Sequence, residues 1–218
     1  MKIDKNSRGT IALVYCIAAV LIAVLLIFVK KPLVVFPLIV FILWFCVWQL
    51  FFFRIPKRIP VEGNNNVLSV ADGRIVIVEK AYEKEFLKRE CIQVSIYMNF
   101  FDVHANFWPV SGTVNYYKYH PGLHALAFKP KASEENEHTC TCIKTGSGQD
   151  VFFKQIAGGF ARRIVNYAAD GLKVSAGSQC GIIKFGSRID YFLPLDAEIK
   201  VSVGDLSRAC ESVIAILK

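Results

Sequence analysis

Gly181-Ile182-Ile183-Lys184-Phe185-Gly186-Ser187-Arg188-Ile189-Asp190-Tyr191-Phe192-Leu193-Pro194 is the stretch whose reading decides the fold. Apolar residues lead into a Gly-Ser pair and an apolar run leaves it, the pattern of a buried strand or tight turn inside a β-rich core. Two readings of Gly186-Ser187 stand side by side. In the first, glycine permits a bend or a positive φ and serine hydrogen-bonds the turn. In the second, the Ser187 hydroxyl attacks the carbonyl of Gly186. That chemistry requires a bent backbone, a base to take the proton, and a preceding residue with no side chain in the way.

Working outward, strand-like segments recur along the last 160 or so residues. Val67–Val70 and Arg74–Val78 flank Ala71-Asp72-Gly73, and Asp-Gly between apolar runs predicts a hairpin. Further strands are predicted over Ile92–Tyr97, Gly112–Tyr119, Thr139–Ile143, Val151–Ile156, Ile182–Phe185, Ile199–Val203 and Ser212–Leu217. Gly158–Tyr167 is the best helix candidate in this part, and Gly122–Glu137 is loop-like. Many short strands between Gly and Asp argue for a mainly β (α+β) domain, sandwich- or barrel-like, with minor helix.

The N-terminal quarter is of another kind. The whole chain is 54% hydrophobic and 20% charged, with a mean hydropathy of +0.39, and the apolar surplus is concentrated here. Ile11–Val29 and Leu33–Phe53 carry no charge over 19 and 21 residues. Each is long enough to cross a hydrocarbon core of roughly 30 Å as a helix. Lys30-Lys31-Pro32 between them predicts a tight two-helix transmembrane hairpin, with residues 1–58 as anchor and linker and 59–218 as the second domain. The second span argues against a cleaved signal peptide. Lys2, Lys5 and Arg8 before the hairpin and Arg54, Lys57 and Arg58 after it place both ends on the cytoplasmic side of the cell membrane. Lys30 and Lys31 lie on the wrong side in that arrangement; span length favours the full crossing over a shallow re-entrant hairpin, the alternative.

A net charge of +8 suits nucleic acid or an anionic membrane surface. The scattered lysines, the missing nucleic-acid motif and the anchor favour the membrane. Seven cysteines (Cys16, Cys46, Cys91, Cys140, Cys142, Cys180 and Cys210), two of them within the spans, fit a reducing cytosolic setting without disulfides. His138-Thr139-Cys140-Thr141-Cys142 hints at a metal, but Cys-x-Cys on a strand only puts two thiols on one face. No second Cys/His pair at zinc-finger spacing accompanies it, so no metal is expected. His120 and His124 flank Pro121-Gly122 and read as loop histidines. His104, among aromatics in Phe100-Phe101-Asp102-Val103-His104, is open to a structural or a chemical role. Phosphate-loop, dinucleotide, His-Glu-x-x-His and Gly-x-Ser-x-Gly motifs are all missing.

Six stretches in order then carry a resemblance. They are Ala71-Asp72-Gly73; Phe100-Phe101-Asp102-Val103-His104-Ala105-Asn106; Pro109-Val110-Ser111-Gly112; Ala132-Ser133-Glu134-Glu135-Asn136-Glu137; Gln155-Ile156-Ala157-Gly158 with Ala161-Arg162-Arg163-Ile164-Val165; and Phe185-Gly186-Ser187-Arg188-Ile189-Asp190. From about residue 67 to the C-terminus the chain resembles the short-form, pyruvoyl-dependent phosphatidylserine decarboxylase proenzymes. Two departures stand out. Phe107-Trp108 replaces a frequent Arg-Ala, which is expected to alter head-group contacts. Cys210 replaces a usual glycine in a late turn, which is expected to affect packing only.

The resemblance implies roles. Ser187 attacks the Gly186 carbonyl with His104 as base and Asp72 as its orienter, the logic of a serine triad. Elimination then cuts the chain at 186/187 into a β chain, 1–186, and an α chain, 187–218, that stay together. Ser187 becomes a pyruvoyl group whose ketone forms a Schiff base with the amine of phosphatidylserine and accepts electrons as carbon dioxide leaves. Phosphatidylethanolamine is the implied product, in phospholipid biosynthesis. The implied partners are phosphatidylserine, the anionic membrane surface and the chain's own two pieces; nucleic acid is not among them, and monomer and homodimer both stay open. Decarboxylation of another serine-headed lipid such as archaetidylserine, a non-enzymatic membrane-anchored β-domain, and a serine hydrolase are the competing readings.

Overall fold

The computed structural model describes residues 2–123, 132–159, 163–184 and 187–218. The chain divides into two compact units, Met1–Pro56 and Lys57–Lys218.

In the first unit, strand β1 (Lys2–Ile3) precedes helix α1 (Arg8–Phe28), and helix α2 (Pro32–Phe52) is followed by β2 (Arg54–Ile55). At 1.5 Å per residue each helix is about 31 Å long, and both are long and apolar enough to cross a membrane. Lys30-Lys31 breaks the apolar run, and Pro32 at the first position of α2 starts the second helix without losing a backbone bond. Tyr15 donates from its hydroxyl to the Cys46 carbonyl at 3.1 Å, across the two helices. β1 pairs antiparallel with β2 and closes the base of the hairpin.

The second unit is mainly β. It runs through β3 (Asn66–Leu68), β4 (Gly73–Glu83), β5 (Arg89–Met98), β6 (Ala105–Phe107) and β7 (Gly112–His120) to a single helical turn, α3 (Ala132–Glu135). Then come β8 (His138–Lys144), β9 (Asp150–Ala157), β10 (Arg163–Asn166), β11 (Lys173–Val174) and β12 (Gln179–Lys184). The last strands are β13 (Ser187–Leu193), β14 (Glu198–Ile199), β15 (Leu206–Ser207) and β16 (Val213–Ile216). One curled eight-stranded sheet, in the order β11-β7-β8-β9-β13-β5-β4-β15, forms a half-barrel. Two three-stranded sheets, β10-β12-β6 and β14-β16-β3, complete the unit.

Alternation along the strands assigns the faces. Val94, Ile96 and Met98 of β5, Ile189, Tyr191 and Leu193 of β13, and Val151, Phe153 and Ala157 of β9 point into the main core. Gln93, Ser95, Arg188 and Asp190 lie on the other face, buried. There the Arg188 guanidinium grips Asp190, which also accepts from Ser133 at 2.7 Å. A second, smaller core of Cys91, Cys140, Cys142, Phe152 and Phe192 also lies on this face, packed against Phe86 and Leu87.

Three expectations change. Asp72-Gly73 does not make a hairpin: β3 pairs with β16 and β4 with β5, so the bend is a corner between two sheets. Gly73 is needed because a Cβ there would sit 2.3 Å from the Tyr97 carbonyl oxygen of the neighbouring strand. The helix expected over Gly158–Tyr167 is replaced, in its described part, by strand β10, because β12 offers an open edge that Arg163–Asn166 fills. The strand expected over Ile199–Val203 stops at Ile199.

Candidate active site

Ser187 opens β13 and is fully buried. It pairs with Met98 of β5 on one side and Ala157 of β9 on the other. Beyond it the ladders continue to Leu193 against β5 and to Phe192 against β9, so the strand that begins at the serine is clamped along its length. The Ser187 hydroxyl donates to the Met98 thioether sulfur at 2.9 Å. Gly186 lies outside the described residues, and so does His124.

His104 is delivered by the turn that follows Met98. Asn99 and Asp102 build this turn in the way short polar side chains do. The Asp102 carboxylate accepts from the Asn99 N–H at 2.8 Å, and the Asn99 side chain accepts from the Phe101 N–H at 2.8 Å. The Asp102 carbonyl thereby comes to lie 2.9 Å from His104 Nδ1. A carbonyl can only accept, so Nδ1 carries the proton and the lone pair of the neutral ring is on Nε2. His104 is fully buried. Burial lowers its pKa to about 4, against the opposing pull of the Asp102 carbonyl and the Asp72 charge. At neutral pH the ring is a neutral proton acceptor. Its carbonyl accepts from the Ile183 N–H at 3.3 Å, which ties it to the strand leading toward Ser187.

Asp72 sits at the sheet corner. Tyr191 holds that corner from below: its hydroxyl accepts from the Val70 N–H at 2.6 Å and donates to the Leu68 carbonyl at 3.2 Å. Phe107 of β6 donates its N–H to the Val70 carbonyl at 2.9 Å, joining the corner to the strand that His104 leads into. The Asp72 carboxylate is taken bidentately by Arg58, at 2.6 Å for each oxygen, and accepts the Ala209 N–H at 2.9 Å. Asp72 is therefore not hydrogen-bonded to Nδ1; its influence on His104 is electrostatic. Its charge also reaches Asp102, whose carboxyl is pushed up, first by burial and further by Asp72.

Sequence reasoning missed four contributors. Arg58 counted only as a flanking positive charge, although its side chain is 5% exposed in this pair. Met98 fell just outside the strand predicted over Ile92–Tyr97, and it ends β5. Asn106 and Gln155 stood in the quoted stretches without roles; they are buried and joined by a 2.7 Å bond, with Asn106 Nδ2 3.9 Å from the Met98 sulfur. The two departures also find their places. Trp108 packs edge-on against Phe153 in the main core, so this change acts on packing. Cys210 has φ +65°, the left-handed region that favours glycine, so its effect extends to the backbone.

The candidate residues are thus a buried serine at the head of a strand paired on both sides, a buried histidine, and a charge-paired aspartate, all within one β-rich unit. A family model described as phosphatidylserine decarboxylase matches residues 45–215. A phosphatidylserine decarboxylase proenzyme of Amoebophilus asiaticus is 47% identical over 168 residues, covering 77% of this chain and 75% of that protein. One of Cytophaga hutchinsonii is 41% identical over 186 residues, 85% and 82% of the two chains. One of Porphyromonas gingivalis is 36% identical over 219 residues, 100% of this chain and 99% of the other. The chain belongs to the phosphatidylserine decarboxylase family.

Proposed function

We propose that this protein is a self-processing proenzyme that decarboxylates phosphatidylserine to phosphatidylethanolamine at the cytoplasmic membrane. The observation that carries the reading is the burial of Ser187 at the head of β13, with neutral His104 delivered by the turn after its partner Met98. In the first step Nε2 of His104 takes the hydroxyl proton as Oγ attacks the Gly186 carbonyl carbon. The peptide C–N bond breaks, the Ser187 nitrogen becomes an amine and an ester forms. Loss of the Ser187 α-proton then expels the Gly186 carboxylate as the Cβ–Oγ bond breaks. Water hydrolyses the dehydroalanine left at 187, releasing ammonia. Asp72 stabilises the imidazolium formed in the first step by its charge, while Arg58 keeps the carboxylate in position.

The residues fit a pyruvoyl group at 187. Position 187 is fully buried and lies between Met98 and the small Ala157, and it is continuous with a strand hydrogen-bonded on both sides. Met98, Ala157 and the β13 backbone would hold the group, which supplies an electron sink for loss of carbon dioxide. The piece 187–218 would remain in place after cutting. It contributes β13 to the middle of the large sheet, β15 to its edge beside β4, and β14 and β16 to the sheet that contains β3.

The apolar hairpin supports a membrane anchor, residues 1–58, for a catalytic domain of residues 59–218. In the catalytic unit the edge-on pair Phe100–Phe101 lies in the turn before His104, and Phe101 is exposed, a composition suited to a lipid interface. A serine hydrolase is disfavoured because the Ser187 hydroxyl is closed off from solvent.

Intact-mass measurement of the wild-type protein and a Ser187→Ala variant tests the proposal. The wild type should give two chains, the smaller beginning with a blocked pyruvoyl group that hydroxylamine modifies with loss of activity. Ser187→Ala should remain a single inactive chain of 218 residues. A wild-type protein active on phosphatidylserine as one uncut chain with a normal serine would refute it.

A further inference from the structure

On the face of the large sheet opposite Ser187, four side chains from three separate stretches of the chain converge. The Glu83 carboxylate accepts the backbone N–H groups of Glu85, Phe86 and Leu87, folding the turn between β4 and β5. Phe86 stacks on Tyr116, 4.5 Å between ring centres, which sets the turn against β7. Glu85 is thereby carried to His120 at the end of β7 and to His138 and Cys140 on β8. Its Oε1 lies 2.6 Å from His120 Nε2 and accepts from the Tyr116 hydroxyl at 2.6 Å, while Oε2 accepts from the Cys140 thiol at 3.1 Å. The His120 and His138 rings stack at 4.5 Å. His138 Nδ1 donates to the Asn136 carbonyl at 2.6 Å, leaving Nε2 as the ring atom with a lone pair.

One donor atom from each of Glu85, His120, His138 and Cys140 lies within 4.8 Å of all the others. Around a tetrahedral zinc such atoms are separated by roughly 3.5 Å, so closure requires a contraction of about 1 Å. We propose that these four residues form a binding site for a divalent transition-metal ion, zinc by ligand type, that staples the Glu83–Lys88 turn onto β7 and β8. One thiolate, two imidazoles and one carboxylate are a set that suits zinc over magnesium or calcium, whose preference is for oxygen. The outer contacts are those of metal sites: a backbone carbonyl fixes the tautomer of one histidine and a phenol holds the carboxylate. Where the hydrogen bonds now run from Cys140 and His120 to Glu85, an entering ion would displace the thiol proton and the proton shared with the imidazole. Glu85, His120 and His138 also line an open cleft of about 690 Å³. The site lies on the opposite face of the sheet from the Ser187 hydroxyl, so its role is structural. No metal is expected from Cys140 and Cys142 alone; the partners come from β7 and the β4–β5 turn.

The test is titration of reduced, metal-stripped full-length protein with zinc against a chromophoric competitor, and with cobalt(II) to read the thiolate-to-metal absorption. The expected result is one equivalent bound at micromolar free zinc, with a cobalt–thiolate band and a raised melting temperature. Cys140→Ser and His120→Gln should each weaken binding by more than the roughly 10–100-fold typical of an outer-shell change, and Tyr116→Phe by about that amount. Cys142→Ser, two positions along the same strand, should bind within about threefold of wild type, a guard against adventitious thiol binding. Absence of stoichiometric binding to the folded wild type, or Cys140→Ser and His120→Gln binding as the wild type does, would overturn the proposal.

Discussion

Arg58 and Asp72 meet through two parallel bonds of 2.6 Å, with the arginine side chain 5% exposed and the aspartate 15%. Arg58 also donates to the Ala209 carbonyl at 3.1 Å, and Asp72 accepts the Ala209 N–H, so the pair joins the linker, the sheet corner and the C-terminal segment. Breaking a fully buried pair from one side costs about 3–5 kcal/mol because the other charge is stranded, and this part-buried pair should cost a fraction of that, about 1–3 kcal/mol. Arg58→Ala should lower the unfolding free energy of the Lys57–Lys218 unit by that order in denaturant titration. It should also slow self-cleavage, read as the two-chain fraction against time. Unchanged stability would show that the pair contributes nothing.

The same pair sets where the anchor can be removed. A chain truncated to begin at Lys57 keeps Arg58 and should cut itself at the wild-type rate. One truncated to begin at Val61 loses Arg58 and should process slowly or not at all, although Asp72, His104 and Ser187 are all retained. Comparison of the two by gel after equal incubation is the measurement; equal processing would exclude the role given to Arg58.

The Ser187 hydroxyl is engaged by the Met98 sulfur at 2.9 Å. Met98→Leu keeps volume, at a stability cost typically under about 1.5 kcal/mol, and removes the acceptor. With one weak hydrogen bond of about 0.5–1.5 kcal/mol no longer opposing attack, self-cleavage should accelerate by roughly 2- to 10-fold in a pulse–chase measurement. Slower cleavage would mean that Met98 positions the nucleophile instead of restraining it.

His104 gives a pH signature. Its pKa falls from an ordinary 6.5 to about 4 because burial disfavours the charged ring. The unfolded chain therefore binds a proton between these values that the folded chain does not, so stability rises with pH through this window and is lost as pH falls from 6.5 toward 4. At about 1.4 kcal/mol per pH unit the contribution is about 3 kcal/mol. His104→Gln should flatten that part of the stability profile. The self-cleavage rate of the wild type should be level from pH 6 to 8 and fall only near pH 4; an inflection at 6.5 would contradict a buried neutral base.

Tyr191 supports the Asp72 corner from inside β13. Tyr191→Phe leaves the Val70 N–H buried without its 2.6 Å acceptor, which costs about 1–3 kcal/mol. Denaturant midpoints should show this loss, and cleavage should slow with it. Loss of stability with full cleavage speed would separate the corner from the chemistry.

Much of this protein was legible in local sequence. Uncharged runs of 19 and 21 residues determined two helices, because length and apolarity alone decide whether a helix can span a bilayer. Alternation around Ile189, Tyr191 and Leu193 determined a strand buried in a β-rich unit, and short motifs in order marked Asp72, His104 and Ser187 as the residues to watch. What tertiary structure decided was the pairing. Asp-Gly reads as a hairpin because a local signal cannot say which strand lies alongside, and here β3 and β4 go to different sheets. Arg163–Asn166 became a strand because β12 presented an edge, a gain that no helical tendency within the segment could match. Arg58 reached Asp72, Met98 reached Ser187, and Glu85 reached His120, His138 and Cys140 across separations of 14, 89 and 35 to 55 residues. Charge pairs, hydrogen bonds and metal ligands act over a few ångströms in space, and only the folded chain brings such distant residues that close.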